Sequence, residues 1–449
     1  MDGHDVVEAT LAAGATIAIA ATTSAANCRW ANNSLTTNGV ERALSCTAIA
    51  VEGGAVGSEG LDVTALDDCR RAAEWARAAA RQAPPAADAF ALLGPADAPA
   101  HPAPAAGPAG AESLRPLVDP LAAVLERARR DELCCFGYAE VQAATEQLGL
   151  TTGLRAGGRR VAGTVSMTVK SKDLRRSAWV GAVAADLGRI DLAGLYDRAA
   201  ARLAWAQRQV ELPAGRYQVI LEPSATADLI LRLVWEMHAR GADEGKTAFA
   251  GPIGPRVGER LYAREVSLRG DPGADGMETP AFVRATASSE YSSIFDNGLA
   301  VAPTTWVDAG VQQPLMCPRA WARDHGHPVR PPTDNLLMDG DGPELAAMIE
   351  STERALLVTS LWYIREVDPT TMLLTGLTRD GVFLVEHGEV VGAVNNFRFN
   401  ESPMGVLART LEVGRGEPTI SREVGGDVLI SAPPIRVQDF CFSSVSDAV

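Results

Sequence analysis

Residues 374–394 read LTGLTRDGVFLVEHGEVVGAV, in which two apolar runs flank His387-Gly388. His and Gly both tolerate the positive φ of a tight turn, so the pattern predicts a β-hairpin with its tip at His387-Gly388. Similar runs alternate with Gly, Pro and Asp turns through most of the remaining C-terminal sequence. The C-terminal half is therefore predicted to be largely antiparallel sheet.

Upstream of this region an apolar strand runs directly into a helix. The sequence predicts the strand over Tyr217 to Leu221 and the helix over Ser224 to Arg240. Helical and strand patterns alternate in the N-terminal half, where Asn38-Gly39 predicts the tip of an early hairpin. The predicted fold class is α+β, with an N-terminal α/β half and a C-terminal half rich in antiparallel sheet.

At 449 residues the chain exceeds one ordinary core, which favours two or three domains. Residues 83–116 are dominated by Ala, Pro and Gly, and such a stretch buries too little side-chain area to offset its ordering entropy. Its most biased part, Ala96 to Gly110, is predicted to be dispensable for folding. The predicted divisions are an N-terminal α/β subdomain (1–82), a linker or loop (83–116), a middle α/β subdomain (117–211) and a C-terminal sheet-rich domain (212–449).

The composition is typical of a soluble globular protein, with 47% hydrophobic and 22% charged residues. The formal charge of -15 disfavours binding to a phosphate backbone, so no nucleic-acid partner is predicted. No membrane partner is predicted either, because the apolar stretch Leu11 to Ala21 is too short and too rich in Ala and Gly. The seven cysteines form no Cys-x-x-Cys pair, which favours reduced thiols and a cytoplasmic location.

Four stretches, in order along nearly the whole chain, resemble the TldD/PmbA family of zinc peptidases. Residues 29–39 are similar to that family's first hairpin, and residues 170–179 to the strand and turn that close its second subdomain. Residues 295–299, FDNGL, resemble its Asn-Gly hairpin, and residues 374–394 its Gly-rich strand and following hairpin. Each stretch alone is a weak signal, whereas four in the same order are a strong one.

The resemblance also identifies what the helix after Tyr217 to Leu221 lacks. Catalytic subunits of the family carry His-Glu-x-x-x-His there, and an alignment without gaps places Leu231, Arg232 and Glu236 at those three positions. Leu cannot ligate a metal, and the permanently charged Arg cannot act as a general base. The resemblance therefore implies the TldE (PmbA) type of subunit, with no catalytic residue, metal or cofactor of its own.

Such a subunit is expected to pair with a TldD-type catalytic subunit that supplies zinc and the general base. Together they would enclose a chamber that admits unfolded peptides and holds them mainly through backbone hydrogen bonds. Two other hypotheses remain open. The chain could be a non-proteolytic binding or scaffold protein, or a homodimeric amide hydrolase with a site rebuilt elsewhere.

Two polar stretches beside large apolar residues are candidates for contact with a peptide or a partner chain. The candidate residues are Arg365, Glu366, Asn395, Asn396, Arg398 and Asn400. The structural alternative is that Arg365 and Glu366 form an internal ion pair and that the asparagines cap turns.

Two histidine motifs are weaker candidates for a metal site. Glu236 and His238 are two positions apart on a predicted helix and so point to different faces. His325 and His327 would share a face in a strand, but no third ligand stands at a defined spacing. A solvated helix end and an exposed polar loop are the favoured interpretations.

Overall fold

The computed structural model describes residues 1–97, 108–379 and 381–446. No helix within these ranges is both long and apolar enough to cross a membrane. The α-helices are α1 (Gly3–Ala12), α2 (Leu66–Ala80), α3 (Arg115–Arg130), α4 (Leu192–Trp205), α5 (Pro223–Trp235), α6 (Ala239–Asp243), α7 (Arg319–His325), α8 (Leu345–Glu350) and α9 (Pro403–Ala408).

The strands fall into an N-terminal and a C-terminal group. The first group is β1 (Ile17–Ala31), β2 (Ser34–Glu52), β3 (Ala55–Asp62), β4 (Leu133–Leu150), β5 (Arg155–Ser171) and β6 (Ser177–Ala184). The second group is β7 (Gln209–Val210), β8 (Gly215–Leu221), β9 (Ala250–Gly251), β10 (Gly254–Pro255), β11 (Leu268–Gly270), β12 (Thr304–Asp308), β13 (Val311–Gln312), β14 (Asn335–Met338), β15 (Arg354–Val358), β16 (Leu361–Asp368), β17 (Leu373–Thr378), β18 (Val382–Glu386), β19 (Glu389–Val394), β20 (Phe397–Glu401), β21 (Thr410–Val413), β22 (Glu417–Ser421), β23 (Gly425–Ala432) and β24 (Ile435–Val445).

The N-terminal group forms one antiparallel sheet in the order β3-β2-β1-β4-β5-β6. Residues 1–82 and 117–211, which the sequence divides into two subdomains, both contribute strands to it. On β1, Ala18 and Ala20 pack in a core with α1, and Cys28 packs in a core with α3. Residues an even number apart in a strand share a face, so α1 and α3 cover the same side of the sheet. The domain boundaries themselves stay predictions.

The first hairpin corrects a prediction from the sequence. Asn38 and Gly39 lie inside β2, opposite Cys28 and Asn27, and the chain turns instead at Asn32-Asn33, whose φ angles are 48° and 63°. Asn tolerates a positive φ almost as Gly does, so local chemistry permits either turn. Tertiary contacts fix the turn at Asn32-Asn33, because the Asn33 side chain accepts a hydrogen bond from the Cys135 backbone at 2.6 Å.

The C-terminal group forms a ten-stranded sheet and a six-stranded sheet with a helix between them, and β9 pairs with β10 separately. One sheet has the order β16-β17-β20-β24-β8-β15-β18-β19-β7, with β21 paired to β24, and the other has the order β13-β12-β11-β14-β23-β22. Most neighbours are antiparallel, while β8 with β15, β7 with β19 and β14 with β23 are parallel. Helix α5 shares one apolar core with both sheets. The predicted α+β class is thus confirmed.

Two local predictions in this half have opposite outcomes. The hairpin tip at His387-Gly388 is confirmed, since both residues have positive φ between β18 and β19. The single helix over Ser224 to Arg240 is wrong, because α5 ends at Trp235 and α6 begins at Ala239. Backbone hydrogen bonds with Met316 interrupt it: Met316 N donates to Met237 O, and Ala239 N donates to Met316 O, each at 2.8 Å.

The Ala/Pro/Gly-rich stretch 83–116 contacts the folded core at both ends. Leu93 is buried with residues of the first sheet, and Ala109 N donates to Ser24 Oγ at 2.7 Å. Residues 98–107 lie outside the described residues. The dispensability of Ala96 to Gly110 therefore stays a prediction.

Candidate functional site

The candidate site lies at the C-terminal end of α5. Strand β8 leads into the helix at Pro223, whose fixed φ and missing N–H suit a first helical position. Nearly every residue of α5 up to Leu233 is buried between the two C-terminal sheets. Its last turn and the following Glu236 face the β22–β23 turn and the edge strand β16. The three positions that the sequence resemblance aligns with His-Glu-x-x-x-His fall on this segment.

The three residues at those positions have separate environments. Leu231 is buried in the apolar core. The Arg232 guanidinium stacks over the Trp235 ring, with 5.0 Å between the guanidinium carbon and the ring centroid. Glu236 follows the last residue of α5 and is partly exposed. Zinc requires several N, O or S donors around one point, and one carboxylate among these three residues does not meet that need.

A buried carboxylate organises the polar groups at this end of the helix. Glu423, in the β22–β23 turn, has a side chain only 11% exposed. Its Oε2 lies 3.5 Å from Arg232 Nη2 and 3.7 Å from Arg365 Nη1, while its Oε1 accepts a hydrogen bond from the Tyr363 backbone N–H. Glu423 thus ties α5 to strand β16. Arg232 serves as a structural counter-ion to Glu423.

The neighbouring carboxylates do not complete a metal site. Burial raises the pKa of Glu366, and the negative charges of Glu236 and Asp368 raise it further. His238 Nε2 lies 3.9 Å from Glu236 Oε2, but His238 Nδ1 accepts a hydrogen bond from Gly241 N at 3.1 Å and caps α6. Across residues 1–97, 108–379 and 381–446, no three His, Cys, Asp or Glu side chains are grouped to hold an ion.

One turn earlier on α5, a carboxyl group is buried with incomplete hydrogen bonding. Asp228 Oδ1 accepts a hydrogen bond from Ser421 Oγ at 2.6 Å, and Oδ2 has no hydrogen-bond partner among the described residues. Burial raises the pKa of Asp228 to about 7, against the lowering effect of the Ser421 hydrogen bond. This carboxyl therefore titrates near neutral pH while it lies next to the β22–β23 turn.

The structure brings three of the six predicted contact residues to one side of the ten-stranded sheet. Arg365 on β16 pairs with Thr375 on β17, and Thr375 pairs with Asn400 on β20. Directly opposite residues in an antiparallel ladder share a face. Arg398, two residues before Asn400, lies on that face as well, and its Nη1 is 3.4 Å from Thr375 Oγ1. The face is open to solvent at Arg365 and Arg398.

The other three residues lie elsewhere. Glu366 faces the end of α5, where the charge of Glu236 raises its pKa and that of Arg232 lowers it. Within the described residues, Arg365 and Glu366 form no direct ion pair. Asn395 and Asn396 join β19 to β20. Asn395 Oδ1 accepts a hydrogen bond from Leu212 N at 2.8 Å, a structural contact of the kind expected for an asparagine in a turn.

The second histidine motif is a structural cluster. His325 stacks on Trp321 with 3.8 Å between ring centroids, and His327 Nε2 lies 2.8 Å from Asp243 Oδ2. The same Asp243 oxygen accepts the Trp321 indole N–H at 2.7 Å. Gly326 between the histidines has a φ of 74° and ends α7. The two imidazoles therefore have separate partners. The His327 side chain is only 23% exposed, so the interpretation of this motif as an exposed polar loop does not hold for it.

The sequence analysis did not identify the two buried carboxyl groups of this site, Asp228 and Glu423. Glu423 contacts Arg232 across 191 residues of chain, and its own surroundings contain no motif that points to α5. Asp228 did carry a usable signal. It is an acidic residue in an otherwise apolar helix segment, and such residues are rarely buried without a specific partner.

The chain was compared with known families, sequences and structures. Residues 214–444 match the model of the PmbA/TldA metallopeptidase C-terminal domain. No curated protein matches the sequence. TldE from Thermococcus kodakarensis has a similar structure, with a TM-score of 0.81 and 17% identity over 98% of this chain and 99% of that one.

Two bacterial proteins described as modulators of DNA gyrase are also similar in fold. The one from Thermotoga maritima has a TM-score of 0.77 and 15% identity, covering 98% of each chain. The one from Bacteroides thetaiotaomicron has a TM-score of 0.76 and 14% identity, over 99% of this chain and 98% of that one. At these identities the likeness establishes the fold alone.

Proposed function

This chain belongs to the PmbA/TldD metallopeptidase family, and from that premise we propose that it is the TldE-type, non-catalytic partner of a TldD-type zinc peptidase. In this proposal the partner subunit carries the zinc and the general base. The present chain completes the enclosure in which unfolded peptides are degraded or processed, in the cytoplasm.

The observation that carries the proposal is the state of the metal-binding positions on α5. Leu231 offers no donor atom, and Arg232 is neutralised by Glu423 at 3.5 Å. Of the three residues, Glu236 alone offers a donor atom suited to zinc, and one carboxylate is not a complete ligand set. Ion pairing and apolar packing thus replace ligands at the place where the catalytic branch binds zinc.

We place the peptide or partner contact on the open face that carries Arg365, Arg398 and Asn400. Arg398 presents several N–H donors, and Asn400 offers both a donor and an acceptor, which suits a peptide backbone. The Asn400 Oδ1 is buried and has no hydrogen-bond partner among the described residues, so its hydrogen-bonding capacity is unused in this structure. The remaining candidates, Glu366, Asn395 and Asn396, lie away from this face and are not part of the proposed contact.

Reconstitution tests the proposal directly. Cleavage of an unfolded peptide is measured with this chain alone, with a TldD-type subunit alone and with the two mixed. We expect the mixture to cleave and a chelator to abolish the reaction. The matched control is a TldD-type subunit whose His-Glu-x-x-x-His glutamate is replaced by Gln, which should be inactive with or without this chain. Chelator-sensitive cleavage by this chain alone would refute the assignment.

Metal analysis supplies a second, independent reading. We expect the gently purified chain to contain far less than one zinc per molecule, because binding free energy requires a complete ligand set. A content of about one zinc per chain, lost together with activity in chelator, would instead favour the amide hydrolase with a rebuilt site. Unchanged peptide cleavage when the chain is omitted from the mixture would favour the scaffold hypothesis.

A further inference from the structure

Strand β2 has a long free edge on the N-terminal sheet. The strand spans Ser34–Glu52, and β1 pairs along nearly all of it, but β3 covers only the part from Ser45 onward. The hydrogen bond from Val63 N to Leu44 O, at 2.7 Å, closes the covered part. Within the described residues, positions 34–43 have no strand on their second side. Unpaired N–H and C=O groups along such an edge form a template for another extended chain.

This edge lacks the features that usually block strand addition. Natural edge strands are protected by Lys or Pro, by bulges or by inward-pointing charges. Positions 34–43 read SLTTNGVERA, with Glu41 and Arg42 as the only charged residues and no Lys or Pro. The register with β1 is regular from Thr37 onward, and the extra residue of the bulge, Thr36, lies near one end. Residues 37–43 therefore form a straight, pairing-competent segment.

An apolar groove of about 540 Å³ runs beside the same edge, between β2 and α3. Leu35 and Val40 of β2 and Val118 of α3 line it, and their exposed fractions are 54%, 49% and 59%. Val40 lies opposite the buried Ala26, on the face that α3 covers. Exposed apolar groups concentrated beside an open edge indicate a contact surface rather than ordinary solvent-facing residues.

We propose that a second copy of this chain pairs with residues 37–43 in antiparallel register, about a two-fold axis at Val40. The two N-terminal sheets would then form one continuous sheet across an isologous interface. The sequence of the edge favours this occupant because this register opposes two apolar residues at its centre and no like charges. An axis at Val40 sets Val40 opposite Val40 of the second copy, and Asn38 opposite Arg42.

The neighbouring registers are less favourable. An axis at Glu41 would set two glutamates directly opposite each other, which like-charge repulsion disfavours. An axis at Gly39 would run the pairing into the bulge at Thr36. A two-fold axis between two consecutive residues would set each of them opposite the other. Consecutive side chains point to opposite faces of a strand, so the face that α3 covers in one copy would lie opposite the uncovered face of the other. The surface is distinct from the face proposed above for peptide or partner contact, so either assignment can fail without the other.

Sedimentation velocity over a range of concentrations tests the proposal on the full-length chain. We expect a monomer–dimer equilibrium that Val40→Lys weakens by at least about tenfold, because two like charges would be opposed and an apolar pair lost. Val257→Lys, at a site 43% exposed and outside both C-terminal sheets, is the matched control and should leave the equilibrium unchanged. A chain that stays monomeric at every concentration, or a dimer that Val40→Lys leaves intact, overturns the proposal.

Cross-linking tests the register without relying on the stability of a lysine variant. Val40→Cys should form a disulfide-linked dimer under mild oxidation, since directly opposite side chains in an antiparallel pair are within disulfide reach. The unaltered chain, with its own seven cysteines, and Val257→Cys are the controls and should remain largely uncross-linked. Cross-linking of Val257→Cys as efficient as that of Val40→Cys would show random collision and contradict the register.

Discussion

Within the described residues, β16 and positions 34–43 of β2 each have one side without a paired strand, and the two edges differ in how that side is protected. The free part of β2 has an uninterrupted register over residues 37–43 and only two charged residues. The register of β16 with β17 is broken twice within Leu361–Asp368, and its exposed side chains include Arg365 and Glu366. One edge is straight and nearly uncharged, while the other is irregular and charged.

The difference follows from what lies behind each strand. Behind β16 is the end of α5, where Glu423 bridges Arg232 and Arg365 and also binds the Tyr363 backbone. This network fixes the edge in a bulged form that cannot pair along its length with another strand. Behind β2, the described residues form an apolar groove beside α3. An edge adjacent to a polar site is thus protected from strand addition, whereas the remote edge is not.

The largest expected effect concerns Asp228, which lies on α5 one turn before Arg232. Its pKa is raised to about 7 in the folded chain from an ordinary 3.8, so its stabilising contribution is complete below about pH 4 and is lost as the pH rises to about 7. The loss is on the order of 4 kcal/mol at most, since one pKa unit corresponds to about 1.4 kcal/mol. Asp228→Asn should remove this dependence.

The check is a series of denaturant titrations of both proteins between pH 5 and 8. The free energy of unfolding of the variant, relative to that of the natural chain, should increase as the pH rises. A difference that stays constant with pH would mean that Asp228 is ionised in the fold and that the carboxyl is not part of a desolvated site.

The next effect tests whether Glu423 holds the β16 edge. Glu423→Ala leaves Arg232 and Arg365 without their shared carboxylate and frees the Tyr363 N–H, which should cost about 2 kcal/mol of unfolding free energy. Glu353→Ala is the control, because Glu353 and its partner His387 are 80% and 81% exposed and such pairs contribute little. Equal effects of the two substitutions would remove the contrast between the protected and the unprotected edge.

A smaller effect on stability, with a larger one on activity, is expected at the open face of the same sheet. Arg398→Ala with Asn400→Ala should change the unfolding free energy by no more than about 0.5 kcal/mol, because Arg398 is exposed and the Asn400 Oδ1 makes no hydrogen bond within the described residues, yet lower peptide cleavage by the reconstituted complex. Arg354→Ala, an exposed arginine on β15, is the control for both measurements. A large melting shift with unchanged specific activity would rule out the contact role.

The smallest expected effect is none at all. Val367 on β16 is 55% exposed, comparable with Val40 on β2, but its strand is bulged on either side of Glu366. Val367→Lys should therefore leave self-association in sedimentation experiments unchanged, in contrast to Val40→Lys. Weakening of the dimer by Val367→Lys would show that self-association uses the β16 edge and not the β2 edge.

The sequence determined those features that depend on neighbouring residues. The strand over Tyr217 to Leu221, its passage into a helix at Pro223 and the hairpin at His387-Gly388 all follow from local patterns of apolar spacing and turn chemistry. The same local information gave the α+β class, whereas the vacancy at Leu231, Arg232 and Glu236 is a prediction from the family resemblance. A residue type that cannot donate electrons to zinc excludes itself wherever the chain folds.

Only the tertiary structure decided the features that rest on distant contacts. Asn32-Asn33 rather than Asn38-Gly39 became the first turn because Asn33 bonds to the backbone of Cys135, about a hundred residues away. Helix α5 stopped at Trp235 because Met316 takes up the backbone groups of Met237 and Ala239. Glu423 reached Arg232, and β3 left half of β2 uncovered. In each case the deciding contact joins residues that are far apart in the sequence, so local patterns could not predict it.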